Sequence, residues 1–163
     1  MTTEQPGDTV NLDESTALAA ARTGRADLHY YMGQLEHAVS APVAGKPSDW
    51  VKHVHDTLVE LGGSFERHIA ITEGPGGLFE EVHSAAPRLA HGVNQLAADH
   101  REIREAIARA LDAIRDRTDV VPLEAQADGR EAVLEVLKLL MRHRQLGADL
   151  IYEAYQVDVG VGD

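Results

Sequence analysis

Three histidines carry the chemical potential of this chain. His68, His100 and His143 each occupy a position where the apolar pattern of a helix calls for a large aliphatic residue. One run reads Val54, Leu58, Leu61, Phe65, His68, Thr72, in steps of four and three. A second reads Leu89, Val93, Leu96, His100, Ile103, Ile107, Ala110, Ile114, and a third Val133, Val136, Leu140, His143, Gly147, Leu150, Ala154. Such spacing marks one face of a helix, so each imidazole is expected in the interior. An imidazole buried without a partner costs about as much as a lost hydrogen bond. Three separate core histidines bonded to backbone or water are one reading. A shared metal ion is the better one, because neutral imidazole is the commonest metal ligand and bundle cores hold metals between facing helices.

The remaining six histidines are less well placed. His29 follows Leu28, about 100° further round its helix, and either turns inward to join the cluster or stays at the edge. His55 precedes His68 by thirteen residues, roughly 20 Å along a helix axis, too far to share an ion. His37, His53, His83 and His91 read as surface residues. Among the carboxylates, Glu73 stands out: it follows His68 by five positions at the end of a helix, where the break at Gly74 would swing it inward. Asp99, Asp149 and Glu153 read as solvated charges near the core edge. Tyr30, Tyr31, Tyr152 and Tyr155 flank helix ends, as packing or as a phenolate ligand.

Four long helices must position these groups. Asp13 is a candidate N-cap for the first, which carries Leu18, Ala21, Leu28, Met32, Leu35 and Val39 and stops before Pro42, with a break expected near Gly24. Ser48 is the candidate cap of the second, over 49–73, ended by Gly74-Pro75-Gly76-Gly77, in which glycine supplies the left-handed stop and proline forbids continuation. A short turn over 78–83 leads to a third helix over 87–117. After a loop over 118–128 the fourth runs from Gly129 to Tyr155. The expected architecture is all-α: an up-down-up-down antiparallel four-helix bundle over 13–156, with a disordered N-terminus over 1–12 and a loose tail over 157–163. Composition agrees. Aromatic residues are only 4% of the 163, so the core must be aliphatic. The net charge of -12 argues against nucleic acid and anionic membranes as partners. The absence of cysteine excludes disulfides, thiolate catalysis and iron–sulfur clusters. No apolar run approaches a membrane span and no signal peptide is evident, so a cytoplasmic protein is expected.

With these residues in view, the chain resembles the hemerythrin-like, HHE cation-binding family over about 14–155. The matching features are His29 on the first helix, His68 with Glu73 close behind, the Leu78-Phe79 turn, the acid–histidine pair Asp99-His100, and a late His143. The resemblance implies a four-helix bundle holding two non-haem irons bridged by an oxygen atom and carboxylates, acting on oxygen, peroxide or nitric oxide. On that basis His29, His68, Glu73, His100 and His143 would be the metal ligands, with Glu73 as anchor or bridge. The chain departs from the family where bridging acids are expected: Thr72, Leu96, and Gly147 or Ala148 stand there. One ion, or none, is therefore the alternative to two.

The leading functional expectation is a non-haem metal protein, iron by preference, with a small diatomic or peroxide ligand. The second is a module of the same fold that has lost its metal and takes haem or another small molecule in the space beside Gly147. An enzyme using the histidines as metal-free acid and base ranks last, since no Ser, Cys or Lys nucleophile stands beside them.

Overall fold

A computed structural model describes residues 15–42, 46–115 and 123–155. They form α1 (Thr16–Ser40), α2 (Pro47–Glu73), a short α3 (Leu78–Ala85), a 3₁₀ turn at Pro87–Leu89, α4 (Ala90–Arg115) and α5 (Leu123–Tyr155). The described residues are all-helical, with no strand among them, and none of their helices is long and apolar enough to cross a membrane. The expected disordered segment 1–12, the Asp13 cap and the tail 157–163 lie outside the described residues.

Every aliphatic stripe reaches the core. Leu18, Ala21, Leu28, Met32, Leu35 and Val39 on α1 are buried, as are their counterparts from Val54 to Phe65, Val93 to Ile114 and Val133 to Leu150. The core has two parts. The larger is built on Leu28, Met32, Leu35, Val54, Leu58, Leu61, Phe65, Ile103, Ile107, Val133, Val136 and Leu140; the smaller holds Leu18, Ala21, Leu78, Phe79, Val82, Val93, Leu96, Leu150 and Ala154. His100 falls between Leu96 of one and Ile103 of the other, and His143 between Leu140 and Leu150. The imidazoles thus occupy the junction of two aliphatic clusters.

Several boundaries differ from the sequence expectation. Ser15 caps α1: its hydroxyl accepts from the Leu18 N–H at 3.0 Å and donates to Glu81 Oε1 at 2.6 Å. Ser48 does not cap α2, which starts one residue earlier at Pro47, with Lys46 at the N-cap and no side-chain cap bond. Proline suits a first helical position because its missing N–H has no helical partner to lose. No break occurs at Gly24. A Cβ there would stand 3.2 Å from Ile71 Cδ1, so this glycine lets α1 approach α2 closely. The loop expected over 118–128 is helical from Leu123, because Leu-Glu-Ala-Gln-Ala are strong helix formers. Gly129 is therefore interior to α5 and packs towards Ile114.

The turn after α2 fixes the lower edge of the site. Gly76 takes the left-handed conformation, at φ 68°, while Gly74 is extended, at φ -65°. A Cβ at Gly74 would meet the Ala70 carbonyl oxygen at 2.3 Å, and one at Gly77 the Ile71 oxygen at 2.6 Å. The chain can fold back this tightly only because side chains are absent. The fold-back carries Leu78 and Phe79 into the core beside the histidines.

A candidate metal centre

His68, His100 and His143 come from α2, α4 and α5 and are 6%, 1% and 3% exposed. Their Nε2 atoms converge: His68 to His143 at 3.1 Å, and His143 to His100 at 3.2 Å. One ligand atom from each lies within 4.8 Å of the others. An ion held about 2.0–2.1 Å from each nitrogen in tetrahedral geometry would set them roughly 3.3 Å apart. Two of the three spacings are already close to that, while the ligand atoms of the third pair, His68 and His100, lie within 4.8 Å.

What stands behind the rings decides which nitrogen is free. Glu73 Oε1 lies 2.5 Å from His100 Nδ1. A carboxylate is an acceptor only, so Nδ1 carries the proton and Nε2 presents a lone pair. Asp99 is buried, at 5% exposed, and its Oδ2 faces His143 Nδ1 at 3.6 Å. Neither atom has a hydrogen-bond partner. The opposed carboxylate favours the proton on Nδ1 there too. Two Nε2 lone pairs then face each other across 3.2 Å, an arrangement that is repulsive unless a cation lies between them. Histidines that hold metals are oriented in the same manner, with the far N–H on a carboxylate.

The surroundings keep the rings neutral. Burial pulls His68 down to about 3, with His143 and His100 adding to it. Burial also pulls His143 down to about 4, followed by repulsion from His100. His100 is lowered by burial against the upward pull of Glu73. Aromatic rings brace the trio: Phe65 stacks on His68 with centroids 5.9 Å apart, and Phe79 stacks on His100 at 5.6 Å. Arg142 holds Asp99 from outside through a 2.7 Å bond to Oδ1.

Two of the five expected ligands take other roles. His29 is exposed and lines an open groove between α1 and α5. Leu28 takes the inward position, and one residue on is about 100° away, so the helix turns His29 out of the cluster. Glu73 does come to the site, but on the Nδ1 side of His100, where it orients the ring and is not aimed at the converging Nε2 atoms. Asp99, read as a solvated charge, is instead buried, and its Oδ2 faces His143 Nδ1 from 3.6 Å, beyond hydrogen-bond distance. Its place three residues after Leu96 was the available signal. Among the described residues no tyrosine makes a hydrogen bond or ring contact with the trio. Tyr30 and Tyr152 are exposed, and Tyr155 donates to Glu81 at the end of α5.

Beside the histidines lies a cavity of about 30 Å³, lined by Leu28, Phe79, Leu96, Gly147 and Leu150 among others. A site needs only some 10–15 Å³ of this kind of space to hold one water, so the cavity suits a ligand of two or three heavy atoms. A Cβ at Gly147 would meet nothing within 4 Å, and this glycine keeps the space open. Comparison with known families, curated proteins and solved structures finds no match to the chain.

Proposed function

We propose that this is a hemerythrin-like non-haem metal protein that holds one iron ion on His68, His100 and His143 and binds dioxygen, peroxide or nitric oxide at an open position beside it. The observation that carries the reading is the pair of buried imidazoles, His100 and His143, each with a carboxylate facing its Nδ1, whose Nε2 atoms oppose each other at 3.2 Å. Three neutral nitrogen donors leave coordination positions free, and the 30 Å³ cavity adjoins them. A space of that size favours a diatomic or peroxide over haem, since pockets for larger ligands run to several hundred Å³. Small redox ligands in turn favour iron over zinc, which has no redox chemistry. A single ion suits the site better than two, because the carboxylates stand behind the rings and Thr72 and Gly147 offer none. When bound, the metal would supply the position at which the small ligand attaches. The chain orients the imidazoles, excludes water with its aliphatic walls and keeps the rings deprotonated.

We further infer that the four long helices run up-down-up-down. In support, partner numbers fall along one helix as they rise along the next. Gly92 approaches Leu150, His100 meets His143, and Gly129 packs towards Ile114. Similarly, Gly62 approaches Ile107 while His68 lies against His100, and Asp27 bonds Ser64 while Gly24 faces Ile71.

Metal analysis tests the reading. Protein purified without chelator and reconstituted with ferrous iron should hold about one ion per chain, with an absorption spectrum that changes on adding nitric oxide. Less than about a tenth of an ion per chain after reconstitution would refute it.

A further inference from the structure

Two arginines at the site have no counter-charge. Arg25 of α1 and Arg144 of α5 both line the cavity beside His68 and His143. Both are half-buried. Neither makes a hydrogen bond or ion pair with any described residue, and Arg144 Nε is buried without a partner. Burial lowers the pKa of Arg25, and the neighbouring Arg144 and Arg22 lower it further; no carboxylate offsets them. The contrast with the rest of the molecule is informative. Arg67 pairs with Asp27, Arg104 with Glu66, and Arg142 with Asp99 and Glu102. In a chain with 27 acidic residues against 15 basic ones, two adjacent guanidiniums without a carboxylate, at the mouth of a cavity, are costly to keep.

We propose that Arg25 and Arg144 form an anion subsite, and that the ligand of this centre is a small oxyanion of two or three heavy atoms, of the hydroperoxide or nitrite class. This rests on the metal reading above. One oxygen of the ligand would face the histidine cluster while another accepts from the guanidiniums, whose planar donors match oxyanion geometry. Arg144 lines both the buried cavity and the open groove of about 370 Å³ between α1 and α5. Arg144 thus stands between the two spaces, at the end of a groove that also carries Lys138 and Glu36. The positive charge of Arg144 matters, because the net charge of -12 repels anions elsewhere on the surface. Size and charge together distinguish this ligand from neutral dioxygen.

The test uses the full chain loaded with cobalt(II), whose visible bands report both metal uptake and ligand attachment, titrated with sodium nitrite. Arg25→Gln and Arg144→Gln should each take up cobalt as the parent does and bind nitrite about tenfold or more weakly, the loss expected for one charge-assisted hydrogen bond. Arg144→Lys keeps the charge and should recover part of the affinity, and it serves if the glutamine variants do not fold. Cobalt uptake with nitrite affinity unchanged in the arginine variants, or no nitrite binding by the cobalt-loaded parent, would overturn the anion subsite alone. Failure of the parent to take up cobalt would overturn the metal reading, and the subsite with it.

Discussion

Replacing His68 by leucine separates a metal-binding role from a structural one. In the metal-free protein His68 is a buried ring whose Nδ1 has no partner and whose pKa is held near about 3 by burial. An unsatisfied buried polar group costs about 1–3 kcal/mol. Leucine removes that cost, is close in volume, and fits the Leu58-Leu61-Phe65 stripe on which the residue lies. Against this stands the loss of the Phe65 stack, about 0.5–1.5 kcal/mol. The net expectation for His68→Leu is a metal-free protein more stable than the metal-free parent by about 1 kcal/mol, a rise in Tm of about 2–4 °C. Metal-loaded parent should exceed both, since a ligand at a hundred times its Kd stabilises by about 2.7 kcal/mol. The assay is thermal unfolding of parent and variant at pH 7.5, each with and without iron, alongside metal analysis. The expected order is metal-free parent, then variant, then loaded parent, with iron having no effect on the variant. A variant that unfolds, or that still takes up a full equivalent of iron, would refute the argument.

Three further outcomes follow from the same geometry. Because His68 and His143 are held at about 3 and about 4, against an ordinary histidine near 6.5, the unfolded chain binds more protons across that interval; stability is full above about pH 6.5 and falls as pH drops towards the folded values, by roughly 4 kcal/mol at pH 5 for the two together. Urea midpoints of metal-free protein at pH 7.5 and 5 measure this, and equal midpoints would contradict it; His68→Leu should remove about half the effect. Asp99→Asn and Glu73→Gln should leave the helices intact, by circular dichroism, and weaken metal affinity by about 10–100-fold; unchanged affinity would show that these carboxylates do not orient the rings. Gly147→Leu should fill the 30 Å³ cavity, so that metal is retained and nitric oxide no longer alters the spectrum; an unaltered response would place the ligand elsewhere.

The helices were legible because their signals are local. Apolar residues at steps of three and four, Pro42 after α1 and the turn over 74–77 act within a few residues of themselves, and the stripes they imply are the buried stripes. Boundaries were less legible where two local signals compete. Gly129 reads as a helix start, yet Leu123–Ala127 are good helix formers and Ile114 occupies the space opposite the glycine. Gly24 reads as a weak point, yet its missing side chain is what lets Ile71 approach.

The site divides in the same way. The sequence alone determined that His68, His100 and His143 face inward, because one face of a helix can be read from spacing without knowing its neighbours. It also determined that Leu78-Phe79 would follow a tight turn at the end of α2. Only tertiary structure decided that the three rings meet at one level, since the relative height of two helices depends on how their side chains interlock and not on either sequence taken singly. Tertiary structure likewise turned His29 outward, put Glu73 behind His100, buried Asp99 against His143, and brought Arg25 and Arg144 together from helices more than a hundred residues apart in the chain. Periodicity fixes which way a residue points. What it points at is fixed by packing between helices.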